Sequence, residues 1–418
     1  MWVVLFLLLI LLLAISYLWH KAPYHPLLVY AGVWLLVIGL WSFDDIFTII
    51  GYIKISDKAW MNIFVVHFAF ALGSISAGFM QLYSQKGVKG TISIPISSNS
   101  NIPKNSKKII YLSFFLFLLS AVGYFSYISL VLKSVNLGSG IIGVFRQWNY
   151  EEAYGALGGF GGVMGRLYTL PQIAIPFNLF MIPYYPTYRK KLIIISIVEM
   201  LFLLSPRRAL LFQTAVLIIL ILLITKKIKI TLKTIFIIIL LLFLFSYSQF
   251  ILNKSMGNGM LGALKDIYVY VTGNIPSFSV LMDIKRESDG YMSFSILYNI
   301  LKAIGYPSTN VDLSIAFVNI PIPFNTVPYN YYFLMDFGIW GSFLVVFLIA
   351  YVITILYYKI HKLGFYNESN NFSIVYIYSY LLMGIVFSFR ENIWITYNSF
   401  FLILISLLIG VVLKNNRN

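Results

Sequence analysis

The chain has 418 residues, 60% of them apolar and 18% aromatic against 11% charged, and a mean hydropathy of +0.86. That composition excludes an ordinary soluble domain and defines a polytopic membrane protein, a single integral domain over 1–418 whose chemistry must come from spans and loops. The net charge of +16 does not point to nucleic acid: seventeen of thirty Lys and Arg fall in segments assigned to the cytoplasm, where Glu368 is the only acid, whereas thirteen face eleven acids on the opposite side. The excess is a positive-inside signature. Without cysteine, disulfides, thiolate metal sites and cysteine nucleophiles are excluded.

Apolar runs predict eleven spans, near 1–19, 27–50, 60–84, 109–133, 168–186, 192–206, 208–225, 231–252, 330–357, 373–389 and 393–413. The first run has neither a basic leader nor a small-residue cleavage site, so it reads as a retained span. Lys21, the Lys86 to Lys108 loop, Arg189 to Lys191, Lys226 to Lys233, Lys359 to Lys362 and Lys414 to Arg417 all fall on one side. This places the N-terminus outside and the C-terminus in the cytoplasm.

Residues 85–108 contain SSNSNIPKNSKK, a flexible cytoplasmic loop to which no function is assigned. Two outer segments are too long for turns. The first, 135–167, holds nine glycines with Arg146, Glu151, Glu152 and Arg166; the second, 253–329, is much larger. Within it Met260 to Val271 and Tyr291 to Ile304 read as short helices on or dipping into the outer interface. Both loops are expected to be structured covers over a cavity. No internal repeat is visible, which argues against transporter folds built from two related halves.

Arg207 and Arg208 stand between the runs LIIISIVEMLFLLSP and ALLFQTAVLIILILLIT, each too short for a ~30 Å hydrocarbon core at ~1.5 Å per residue. The pair is therefore expected inside the outer half of the bilayer. A charge at that depth costs at least ~2.5 kcal/mol by insertion scales and persists beside a partner, a water-filled cavity or an anionic ligand. Guanidinium groups suit a diphosphate, being permanently charged and planar forks of donors. The competing reading is a pair of snorkelling anchors at a helix hairpin.

Arg390, with Glu391 beside it in FSFRENIW, adds positive charge at the same depth, or forms a structural ion pair. Arg146, Arg166 and Arg286 add more from the loops, or are simply solvated. For the base that glycosyl transfer needs, Asp336 in YYFLMDFGIWG is the first candidate; the alternative is that it pairs with an arginine. His67 reads as a packed histidine, and Glu199 lies too deep to meet an external sugar. The GALGGFGG run at 155–162 lacks the strand-to-helix context of a phosphate loop. Tyr270 and the other aromatics of the large loop are sugar-stacking candidates or interfacial anchors. There is no HExxH, no carboxylate ladder and no nucleotide fingerprint, so neither a metal nor a cofactor is expected.

At these residues the chain resembles the bacterial O-antigen polymerases of the Wzy type, the oligosaccharide repeat unit polymerases. SPRRALL at 205–211 is similar to the small-small-Arg-Gly-Ala-Leu turn of that group and of the related O-antigen ligases, with Arg207 matching the arginine and Arg208 standing where glycine is usual. YVTGNIPSF at 270–278 resembles the segment before the family's sugar-facing region, and FNTVPYNYYFLMDFGIWG at 324–341 its entry to the next span. The resemblance implies an all-α, GT-C-like glycosyltransferase in the bacterial inner membrane, its N-terminus periplasmic and its cavity open to the periplasm. Donor and acceptor would be undecaprenyl-diphosphate-linked oligosaccharides, joined without metal, with Arg207 and Asp336 catalytic. From the residues themselves, Arg207, Arg208, Arg390, Arg146, Arg166, Arg286 and Tyr270 are the candidates to bind substrate; a flippase and a chain-length regulator are the expected partners. The rival from another class is a flippase or exporter of lipid-linked sugars, which would put charges along spans near the midplane and keep outer loops short. The ligase reading is disfavoured because the large outer loop has no histidine.

Overall fold

The computed structural model describes residues 1–20, 22–86, 106–140, 162–203, 209–228, 259–283, 290–295, 317–363 and 371–414, with isolated positions between them. The described helices are α1 Trp2–His20, α2 Pro26–Phe47, α3 Asp57–Lys86, α4 Ser106–Ser134, α5 Gly162–Thr169, α6 Pro171–Met181, α7 Arg189–Phe202, α8 Ala209–Ile224, α9 Gly259–Thr272, α10 Asn274–Leu281, α11 Asn330–Leu363, α12 Phe372–Val386 and α13 Tyr397–Lys414. Pro26–Phe47, Asp57–Gln81, Lys107–Ser134, Asn330–His361 and Tyr397–Lys414 are long and apolar enough to cross a membrane; Trp2–Leu18, Ala209–Ile224 and Phe372–Val386 are shorter apolar helices. The chain is an all-α membrane protein. The expected run 231–252 lies outside the described residues from 232 onward, as do 87–105 of the cytoplasmic loop and most of 141–161.

Small residues set the closest helix contacts, as they must where lipid supplies no hydrophobic drive for association. A Cβ on Gly73 of α3 would collide with the Phe347 carbonyl of α11, and one on Gly123 of α4 with the backbone of Leu167 and Tyr168 in α5. Ser74 and Thr354 share a 3.1 Å hydrogen bond across the α3–α11 seam. The expected span 168–186 is divided: α5 stops at Thr169 and α6 starts at Pro171, where proline's missing N–H and fixed φ suit a first helical turn. Pro176 inside α6 cannot donate to the carbonyl four residues back, and that carbonyl, on Gln172, accepts instead from the Tyr376 hydroxyl of α12 at 3.4 Å.

The end of the bundle where α2 stops and α3 begins is here called the upper end. Thr48 turns α2 off in the left-handed region at φ 53°, and the buried Asp44 carboxylate accepts the backbone N–H groups of Ile50, Gly51 and Tyr52. The turn so fixed receives α9 and α10. Tyr268 donates to the Leu40 carbonyl at 2.7 Å, Tyr52 and Thr272 share a 2.8 Å bond, and the Ser56 N–H donates to Ser279 at 3.0 Å. The expected helix 260–271 is thus present as α9, lying against α2. It runs through Gly273 into α10, in which Ile275, Phe278 and Leu281 are fully buried. The hairpin of β1 Val318–Asn319 and β2 Pro323–Phe324 packs beside α10.

Candidate functional site

After α12 ends, Phe387 to Arg390 turn the chain back: the Arg390 and Glu391 N–H groups both donate to the Phe387 carbonyl, at 2.9 and 3.1 Å. One side chain from α2 and the backbone just before α11 hold this turn. Trp34 of α2 donates to the Ser388 hydroxyl at 3.0 Å; the Tyr329 N–H donates to the Ser388 carbonyl at 2.9 Å, and Asn392 donates to the Tyr329 carbonyl at 3.3 Å. Arg390 is thereby fixed where α12 ends, beside the start of α11.

The guanidinium of Arg390 lies 3.9 Å over the ring of Tyr270 from α9, a cation–π arrangement that gains strength when desolvated. Burial pushes the Tyr270 phenol up, Arg390 draws it down and Glu391 opposes that pull. The only carboxylate within reach of Arg390 among the described residues is Glu391, at 4.0 Å, beyond hydrogen-bond distance, and the Arg390 side chain is 19% exposed. Its Nε is buried without a hydrogen-bond partner among the described residues, and so are Asn392 Oδ1 and Asn330 Nδ2. Buried polar atoms left unpaired are rare, each costing ~1–3 kcal/mol. Here all three belong to the turn after α12 and to the start of α11.

Glu391 is differently placed, with a side chain 37% exposed. Its Oε1 accepts from the Gln213 amide of α8 at 3.3 Å, and Gln213 in turn accepts from Gln172 of α6 at 3.2 Å. The two glutamines were not among the residues singled out from sequence. Their signal was an amide inside an otherwise apolar run, in PQIAI and LLFQTAV, where a polar group needs a partner. Gln213 also follows Arg207 and Arg208 by six and five positions in the chain; those arginines lie outside the described residues, as do Arg146 and Arg286.

Asp336 sits where α11 breaks. Gly338 has φ 64° and ψ −170°, a conformation open essentially to glycine alone. Just before it, the two Asp336 oxygens accept the N–H groups of Met292 at 3.2 Å and Ser293 at 2.5 Å. Phe337 packs on Phe294 with ring centroids 5.7 Å apart. Asp336 and Phe337 therefore clamp the described turn of the large loop, Gly290 to Phe294, onto the entry of α11.

Arg166 of α5 donates to the Asn398 side chain and lies 5.1 Å over the Tyr397 ring, both at the start of α13. With Gly162, Val163, Leu167, Tyr397 and Phe401 it lines a mainly apolar cleft of about 520 Å³ between α5 and α13. It stands on partners separate from those of Arg390. His67 is a packed histidine: its Nδ1–H donates to the Ile63 carbonyl at 2.6 Å and the Trp34 ring meets it edge-on at 4.6 Å. Glu199 is fully buried and accepts from Asn178 at 3.3 Å, and Asn178 accepts from Ser113 at 2.7 Å. No protein-family model, curated protein or solved structure matches the chain.

Proposed function

We propose that the protein is a metal-independent glycosyltransferase that joins undecaprenyl-diphosphate-linked oligosaccharide repeat units into an O-antigen- or capsule-type polysaccharide. In this reading the upper end of the bundle is the periplasmic face of a bacterial inner membrane, the N-terminus is periplasmic and the architecture is GT-C-like. The observation that carries it is Arg390: a cation four-fifths buried, stacked on Tyr270, with Nε unpaired and, among the described residues, one carboxylate in reach, at 4.0 Å. Such a group is completed by an anion, and a diphosphate offers oxygens in the geometry a guanidinium fork accepts. Arg390, with Arg207 and Arg208, holds the donor diphosphate and takes up charge as it departs; Arg146, Arg166 and Arg286 guide the lipid-linked anion to it. Asp336 contributes by holding the large loop over the site. The acceptor hydroxyl attacks the anomeric carbon directly, with inversion.

The test is purified protein in detergent, given a lipid-linked repeat unit and chelator but no nucleotide sugar. The donor's own leaving group supplies the driving force, so a ladder of longer lipid-linked chains is expected. Unchanged substrate would sink the polymerase and favour the second reading, a flippase of the same lipids, which the mid-span carboxyl of Glu199 favours because transporters place ionisable groups at such depths. Reporter fusions in 86–108 should read cytoplasmic and fusions at Ser288 periplasmic; the reverse would put the arginines on the wrong face for this chemistry.

A further inference from the structure

Attack by a sugar hydroxyl requires a group to take its proton, and an efficient base has a lone pair uncommitted and within reach of the attacking oxygen. Three of the described carboxylates are already engaged, and of these Asp44 spends both oxygens on three backbone N–H groups of the α2–α3 turn. Asp336 spends both on the N–H groups of Met292 and Ser293. Asp283 is turned to Lys58 at 3.9 Å on an exposed rim. Glu391 differs from all three: the Gln172–Gln213 chain holds Oε1, which is also the oxygen facing Arg390, and Oε2 accepts no hydrogen bond among the described residues.

We infer that Glu391 is the general base of the polymerisation, an inference that rests on the polymerase reading. As the acceptor hydroxyl oxygen bonds to the donor's anomeric carbon, its proton passes to Glu391 Oε2. The bond from that carbon to the diphosphate oxygen breaks, and the electron pair leaves with the diphosphate against Arg390. The proton then passes to solvent, to which the side chain is 37% open. Charge is conserved locally, because the carboxylate loses its charge as the diphosphate gains one. Arg390 thus stabilises the leaving group during the step. The groups facing Glu391 are Arg390, Gln213 and the phenols of Tyr270, Tyr332 and Tyr380. Gln213 is a positioning residue, since it fixes Oε1 so that Oε2 is the oxygen presented.

The test uses the full chain in detergent and the lipid-linked repeat unit. Wild-type protein that makes no ladder removes the polymerase reading itself. Given a wild-type ladder, Glu391→Gln should lower the turnover rate by ~10²–10⁴-fold, the usual contribution of a general base, with substrate binding changed by less than about threefold because the amide keeps the shape and the bond from Gln213. The wild-type rate should rise with pH as the base loses its proton, and the residual Glu391→Gln rate should lose that dependence; a carboxylate that merely held Arg390 in place would leave the profile's shape unchanged. Glu391→Asp, with a shorter reach, should recover part of the rate. If the glutamine variant does not fold, Gln213→Leu carries the test, with turnover reduced and binding retained. A glutamine variant within about threefold of wild type, or a folded Gln213→Leu with full turnover, overturns the assignment and leaves the polymerase standing.

Discussion

Two carboxylates flank the start of α11, and their surroundings are opposite. Asp336 meets two backbone N–H groups and sits between the broken start of α11 and the Gly290 to Phe294 turn. Glu391, on the turn after α12, has one oxygen held by Gln213, another without a hydrogen-bond partner among the described residues, and a largely buried, under-bonded arginine as its neighbour. A satisfied carboxylate contributes most by staying as it is, since removing it strands the donors it serves. An incompletely satisfied cation and anion side by side retain bonding capacity for something else. On the proposed reading, the contrast gives fold-keeping to Asp336 and chemistry to the Arg390–Glu391 turn.

The largest effect that could break this division comes from Arg390. Arg390→Ala should lower ladder formation by at least ~10²–10³-fold, the scale of losing one preorganised charge-stabilising donor, and Arg390→Lys should recover only part because the planar fork is gone. Initial rates with detergent-purified protein check this; an alanine variant with wild-type turnover would leave the under-bonded arginine without a ligand role. Arg207→Ala should likewise abolish long-chain polysaccharide in cells while membrane abundance stays normal, and loss of the protein itself would favour a structural anchor.

Asp336 should behave in the complementary way. Asp336→Ala leaves the Met292 and Ser293 amides without their acceptor, a cost of ~1–3 kcal/mol for each group that stays buried, read as a lower midpoint of thermal unfolding in detergent. Asp336→Asn keeps one acceptor oxygen and should retain turnover within about tenfold of wild type, short of the loss that removing a base brings. A loss as deep as that of Glu391→Gln would return the base role to Asp336. Gly338→Ala tests the same clamp from the backbone: φ 64° is strained for alanine, and the expected cost is ~1–3 kcal/mol.

The helices were legible because spans announce themselves by length and apolarity, and Arg390 because a charge at the end of an apolar run demands an explanation. The roles of the carboxylates were not. Asp336 contacts amides more than forty positions earlier in the chain, and no local pattern reports a bond between a side chain and a distant backbone. Gln172 and Gln213 were hidden for the same reason, each being one amide in a run whose average is apolar. Glu391 was visible beside Arg390, and the two do form the ion pair that adjacency in sequence offered, at 4.0 Å; what adjacency does not report is the hold of Gln213 on Oε1.

The smallest predicted effect concerns Glu199, the carboxyl at which polymerase and transporter diverge. It lies fully buried in α7, with Asn178 as its hydrogen-bond donor and Oε1 unpaired. For a polymerase working at the upper end, this group is part of the packing among α4, α6 and α7. Glu199→Gln removes the ionisable proton but preserves volume and the acceptor for Asn178, so ladder formation should stay within about twofold of wild type, the scale of a single retained neutral hydrogen bond. For a transporter that cycles a proton through the membrane, the same amide would abolish the cycle, because no other group of the triad, Ser113 or Asn178, can take its place. Lipid-linked sugar loaded on one side of proteoliposomes containing the variant distinguishes the two: an intact ladder with no change in sidedness keeps Glu199 structural, and a block of translocation in the variant, with translocation present in wild type, would move the functional centre of the molecule from the Arg390–Glu391 turn to the middle of α7.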